Sequence, residues 1–360
     1  MKYFSNQVAA ISILLAGFVF FSCSQVTEPR TEMVMGTVCT VNAYSDGTTK
    51  LYDELFARLH KIEDDFSVNI STSQVSAVNE ASGQRAVPVS SDVLYVVRTA
   101  LKYAELTGGA FDPTVGPLVK IWGINTDHAR VPSQQEISAA LALINWRDVV
   151  LSENDDGSGT IMLRRPGMSL DLGGIVKGYA ADELTAILKA RNVKRAIIDL
   201  GGNIYVFGTK KDGSLWKVGV KDPSAPEGNP ALVLSLANST VVTSGVYERF
   251  FIQNGVRYHH ILDTKTGSPA RTGLLSSTIV CESSIAADAL STSVFVLGEE
   301  KGMALLQEIE DGRAAGTKFA EVPGLHARVS AVFISEDGSV TASKSLEGVL
   351  QVNNGTPVFK

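Results

Sequence analysis

Within an apolar stretch, Ala287-Asp288-Ala289-Leu290-Ser291-Thr292 sets a carboxylate and a hydroxyl four residues apart. On a helix this spacing puts both oxygens on one face. A carboxylate among Ala, Leu, Val and Phe needs a partner, which could be a hard, oxygen-preferring cation or a local backbone group capped by Asp288. A second run, Asp171-Leu172-Gly173-Gly174-Ile175-Val176-Lys177-Gly178, falls where a strand-like segment gives way to a helical one. Glycines let backbone approach a phosphate, a helix N-terminus favours negative charge, and Lys177 adds a full positive charge, so the run suits a pyrophosphate. A plain tight turn would look the same, and the Rossmann spacing is absent. A third, Tyr258-His259-His260-Ile261-Leu262-Asp263-Thr264, carries two of the chain's five histidines. Their spacing does not suit a zinc set with the cysteines, whereas one of them could act as a base near neutral pH. Strand neighbours point to opposite faces, so only one should enter a given site.

Several elements must position these groups. A first strand is expected over Met35–Tyr44, then a helix from about Thr49 with Leu51, Leu55, Leu59 and Ile62 at spacings of three and four. A helix beginning near Ser91 should stop at Thr107-Gly108-Gly109. Ser133-Gln134-Gln135-Glu136 is a capping box that opens a helix reaching about Ile144. Asp-Leu-Gly-Gly occurs twice, at 171–174 and 199–202, with an amphipathic helix between, which reads as strand, turn, helix, strand, turn. Strand-rich sequence follows over Trp216–Val220, Leu232–Leu236 and Phe250–Leu262, then helical patterning over 284–297 and 300–309, and a hairpin of Val329–Ile334 with Val340–Ala342 across Asp337-Gly338. Strands and helices mix without regular alternation, so an α+β fold with mixed sheets and packed helices is expected.

At 360 residues, 44% hydrophobic and 19% charged, the chain can bury a large core and exceeds the length at which one core stops growing, so two closely packed sub-structures are expected. The net charge of -6 is spread along the chain with no basic run, which argues against a nucleic-acid partner. Lys2 precedes an apolar stretch, Val8–Phe21, too short to span a bilayer and suited to a signal sequence. Ser22-Cys23 resembles a bacterial lipoprotein processing site, which divides the chain into a signal peptide at 1–22, a polar tether at 23–32 with Cys23 lipidated, and a folded domain at 33–360; an ordinary cleaved signal or a short uncleaved anchor is the alternative. Cys39 and Cys281 read as two buried thiols.

Together and in this order, with Met35-Gly36-Thr37 near the start and Gly108-Gly109-Ala110-Phe111-Asp112-Pro113 between, these motifs resemble the ApbE family of FMN transferases over about Met33–Gly298. The resemblance implies a T-fold-like architecture and Mg²⁺-dependent transfer of FMN from FAD to a Thr or Ser hydroxyl of an acceptor protein. It implies that Met35, Ala110, Phe111 and Asp112 contact FAD, that Asp171 and Lys177 lie along the dinucleotide, and that Leu262 lines the flavin site. It further implies that Asp288, Thr292 and the Gly174 carbonyl bind Mg²⁺ and that His260 is the base. Acceptors would be membrane redox-complex subunits, reached by a lipid-anchored enzyme facing the periplasm, on the inner membrane. Asn69 stands where many family members have a tyrosine, and an asparagine cannot stack on adenine or shield phosphates. Hydrolysis of FAD to FMN and AMP is therefore a second expected activity, with Asn69 helping to set its balance against transfer; a non-catalytic FAD-binding lipoprotein is the remaining alternative.

Overall fold

Neighbouring residues of the central strands feed different cores. Val241 and Val242, Ile279 and Val280, and Val332 and Phe333 divide in this way between two hydrophobic clusters, because successive strand side chains point to opposite faces. A computed structural model describes residues 28–225, 228–316, 318–353 and 355–360; the leader at 1–22 and Cys23 lie outside the described residues. Nine strands form the central sheet in the order Arg30–Val34, Thr37–Asn42, Ala196–Leu200, Asn203–Phe207, Ser239–Gly245, Leu274–Cys281, Ser330–Ser335, Val340–Ala342, Val358–Phe359. Every neighbouring pair is antiparallel except the last, which is parallel and makes the sheet mixed.

Seven helices lie among the described residues: α1 Thr49–Phe66, α2 Gln74–Glu80, α3 Ser91–Leu106, α4 Gly116–Trp122, α5 Gln134–Leu141, α6 Val176–Ala190 and α7 Ser284–Ala314. The apolar faces of α1, α3, α6 and α7 fill the larger cluster on one face of the sheet. On the other face, a three-stranded sheet of Leu350–Val352, Leu232–Leu236 and Trp216–Val220 packs down through Trp216, Leu232 and Leu234. The α+β expectation holds, with two cores back to back on one sheet. No described helix is long and apolar enough to cross a membrane.

Local signals in the sequence produce most helix ends. Thr48 caps α1 by accepting the Leu51 N–H, and both halves of the Ser133–Glu136 capping box are formed, although α5 ends at Leu141, short of Ile144. The break expected between 297 and 300 is Gly298, whose φ of 78° and ψ of 172° interrupt α7. Three strand expectations need correction. The first strand is a hairpin: Met35 and Gly36, both at positive φ (55° and 66°), form the two-residue turn, and Arg30–Glu32 of the expected tether belong to the leading strand. Ser169–Leu172 is not a ladder strand, since Ser169 makes only an isolated bridge to Val115, and the Leu170 N–H and C=O are both taken by the Asn79 side chain. Phe250–Leu262 is also divided. Phe250–Gln253 and Val256–His259 pair across Asn254-Gly255, and Leu262–Asp263 pairs separately with Ser268–Pro269.

Candidate functional site

The two Asp-Leu-Gly-Gly runs, distant in sequence, line one cavity of about 720 Å³. That volume lies within the roughly 300–1,000 Å³ common to small-molecule sites. Asp171, Gly173, Gly174 and Lys177 bring the start of α6 to it, Asp199, Gly201 and Gly202 the end of a central strand, and Asp288 and Thr292 one face of α7. Ala110, Phe111, Asp112, His260 and Leu262 also line it.

Helix packing places the carboxylate. Asp288 is buried, and its Oδ2 accepts the Gly178 N–H at 2.9 Å, a group of the first turn of α6 that has no partner inside its own helix. Its Oδ1 makes no hydrogen bond among the described residues. Burial pushes the Asp288 carboxyl above the usual carboxylate range, and Lys177 and the Gly178 N–H act in the opposite direction. Glycine is required at 178 because a Cβ there would lie 2.2 Å from the Ser284 carbonyl oxygen. Gly178→Ala should therefore force α6 and α7 apart, at a cost of about 1–3 kcal/mol, and thermal unfolding of the variant measures it. A variant as stable as the parent would mean that the contact relaxes freely. Gly174 is close to Thr292 as well: a Cβ on Gly174 would lie 3.5 Å from Thr292 Oγ1 and 3.2 Å from Phe111 Cε2.

Asp112 has both oxygens engaged. Oδ1 accepts the Thr114 N–H (2.8 Å) and hydroxyl (2.6 Å), and Oδ2 the Trp146 N–H (3.2 Å), so it ties the 110–114 loop to the next segment. Burial raises its pKa against those three bonds. Asp171 accepts the Gly173 N–H at 2.9 Å; burial raises its pKa, opposed by that bond and by Arg249.

The two histidines separate where the strand Val256–His259 ends. His259 is buried: Nε2–H donates to the Ala270 carbonyl at 3.0 Å, and Nδ1 accepts the Ile261 N–H at 3.3 Å. Desolvation holds its pKa down to about 4. A histidine whose folded pKa is depressed costs stability as pH falls from about 6.5, where the unfolded chain begins to take up the proton, towards 4. Wild type should thus lose on the order of 2 kcal/mol more than His259→Gln between pH 7 and pH 4.5, read from urea midpoints. Equal losses would mean that the ring titrates normally. His260 faces the cavity, and its Nδ1 lies 3.2 Å from the Arg249 carbonyl. A carbonyl only accepts, so Nδ1 carries the proton and Nε2 keeps its lone pair. The His260 side chain is solvent-exposed, yet the surrounding protein and then the Arg249 charge lower its pKa to about 4, leaving the ring neutral at pH 7.

Two residues singled out in the sequence fall elsewhere. Asn69 is exposed in the turn after α1, its N–H donating to Ser67 Oγ at 3.2 Å, and is not among the cavity-lining residues. The helix ends at Phe66 and the following turn faces solvent. Met35 packs against the larger core, its N–H donating to Glu63 Oε1 at 2.7 Å, and the cavity wall comes from its neighbours Gly36, Thr37 and Val38. Asp199, Ser244, Tyr247 and Arg249 line the cavity without having been singled out. The repeated Asp-Leu-Gly-Gly was the available signal for Asp199; Arg249 had none. Cys39 and Cys281 are both buried and free, as expected.

A buried carboxylate clamped beside a lysine, with a neutral histidine opening onto the same cavity, defines an enzyme within an α+β fold. The chain belongs to the ApbE family, whose model matches residues 35–316. It is 39% identical over 331 residues to an FAD:protein FMN transferase of Treponema pallidum, covering 88% of this chain and 87% of that one. An FAD:protein FMN transferase of Klebsiella pneumoniae is 37% identical over 279 residues, covering 78% and 85%. The crystal structure of the ApbE protein of Thermotoga maritima aligns with a TM-score of 0.77 at 31% identity, over 89% of this chain and 98% of that one. The flavin transferase ApbE of Vibrio cholerae aligns at 0.73 and 28% identity, with the same coverage.

Proposed function

We propose that this protein transfers the FMN half of FAD to a threonine or serine hydroxyl of an acceptor protein, releasing AMP, with Mg²⁺ held by Asp288, Thr292 and the Gly174 carbonyl. The observation that carries the reading is the presence on one cavity of a clamped carboxylate with one oxygen, and a histidine with one nitrogen, unbonded among the described residues. The relatives named FAD:protein FMN transferase support the choice of substrate.

The donor types suit a hard cation: Asp288 and Thr292 supply carboxylate and hydroxyl oxygens on the cavity that Gly174 also lines, and a Cβ on Gly174 would lie 3.5 Å from Thr292 Oγ1. When bound, Mg²⁺ would neutralise negative charge on the pyrophosphate. The Lys177 charge and the positive end of α6 would orient the phosphate oxygens, since the Val176 and Gly178 N–H groups are already taken by the Leu172 carbonyl and Asp288. His260 would take the acceptor hydroxyl's proton at Nε2, with Nδ1 anchored on the Arg249 carbonyl. Phe111 and Leu262, buried apolar side chains on the cavity, would exclude water from part of the bound ligand.

The test incubates the protein with FAD, Mg²⁺ and a threonine-containing acceptor peptide, with and without chelator. A flavin-sized mass gain on the peptide together with AMP, both lost in chelator, is the expected result. AMP and FMN with no peptide adduct would assign hydrolysis instead, and FAD bound but intact would assign a carrier. The same reading takes residues 1–22 as a signal and Cys23 as the lipid anchor, holding the enzyme on the periplasmic side of the bacterial inner membrane beside redox-complex acceptors. Cys23→Ala should release the protein from the membrane fraction; retention there would reject the anchor.

A further inference from the structure

We infer that Asp182 is a positioning residue for the Asp288–Thr292 face of α7, acting as the cap of that helix from a different helix. The inference rests on the reading of Asp288 and Thr292 as metal ligands. Asp182 lies on α6, one turn beyond Gly178. Its Oδ1 accepts the Ser284 N–H at 2.7 Å, and its Oδ2 accepts the Ile285 N–H at 3.0 Å and the Ser283 hydroxyl at 3.1 Å. Those two N–H groups open α7 and have no partner within it. Ser283, at the N-cap position, makes no side-chain cap of its own: its hydroxyl donates to Asp182, which also takes the Ile285 N–H. A carboxylate from α6 therefore does what the N-cap side chain ordinarily does, and its negative charge suits the positive end of α7.

The consequence lies in how the two helices are joined. Gly178 N–H to Asp288 Oδ2 is one bond between them, and Asp182 to Ser284 and Ile285 is the other, one turn away on each helix. Two attachments of that kind remove both sliding and tilting of α7 against α6, whereas one would leave a pivot. Since Oδ2 of Asp288 is held by α6, the direction of Oδ1 follows from the height of α7, and Thr292 sits one further turn along the same rigid segment. Asp182 thus sets where both oxygens stand without touching the ligands that would use them.

Binding of Mn²⁺ to the full-length protein, measured by the EPR signal of the free ion, tests this alongside FAD binding by flavin fluorescence and thermal unfolding. Asp182→Asn keeps the size of the side chain but turns an NH₂ towards one of the two N–H groups; it should weaken Mn²⁺ binding about tenfold while FAD affinity is unchanged, the loss typical when the support of a ligand is removed. AMP release by the variant should need more Mg²⁺ and recover most of its kcat once saturated. Ser283→Ala, which keeps both backbone bonds to Asp182, should bind Mn²⁺ nearly as wild type does. An Asp182→Asn variant that unfolds at lower temperature yet binds Mn²⁺ with wild-type affinity would reduce Asp182 to an ordinary structural cap and overturn the inference. Wild-type protein that binds no Mn²⁺ and cleaves FAD in chelator would overturn the metal reading itself, and the inference with it.

Discussion

Asp288→Ala should lower FAD cleavage by about 10³-fold or more, because it removes the carboxylate of the proposed metal-binding set. The substitution removes the buried group whose Oδ2 is bonded to Gly178 N–H and whose Oδ1 is unbonded among the described residues. It also leaves that N–H without its partner, a cost of about 1–3 kcal/mol in stability, offset in part because burial disfavours the ionised carboxylate it replaces. Thermal unfolding should therefore show a folded protein, and AMP formation, followed by chromatography with and without acceptor, should show the loss in both outcomes. Turnover equal to wild type would take the metal out of the mechanism.

His260→Ala should leave FAD binding intact and slow the chemistry by roughly 10²–10⁴-fold, the usual contribution of a positioned general base. The pH profile of the ratio of wild-type to variant rates isolates the ring from every other titrating group. With the pKa held down to about 4 by desolvation and by Arg249, the ratio should stay flat from pH 7 to pH 5. It should then fall towards one as pH drops through about 4, because protonation at Nε2 removes the lone pair that accepts the acceptor's proton. A ratio that already declines near pH 6.5 would mean an ordinary histidine, and a ratio of one throughout would remove His260 from the chemistry.

The two histidines illustrate how far pattern reaches. Their adjacency led to the expectation that only one would enter a site, and they do separate, yet His259 and His260 become distinguishable only when Ala270 and Arg249 present their carbonyls. Similarly, the four-residue spacing of Asp288 and Thr292 put both oxygens on one helix face, but the clamp on Asp288 comes from Gly178, 110 residues away. The second Asp-Leu-Gly-Gly was visible as a repeat without a role, and only the sheet order brings it to the first one's cavity. Asn69 shows the opposite case, a substitution conspicuous in sequence that the end of α1 leaves in a solvent-facing turn.

By itself the sequence determined the elements whose causes are local. The capping box at Ser133, the glycine stop after α3, the break at Gly298 and the closing hairpin all depend on residues within a few positions of one another, where short-range hydrogen bonding and φ preference decide the outcome. Tertiary structure decided the strand order, the division of Phe250–Leu262, the loop at Ser169–Leu172 and the pairing of α6 with α7. Each of these is settled by partners far along the chain, whose backbone groups and buried surfaces become available only once the core has closed.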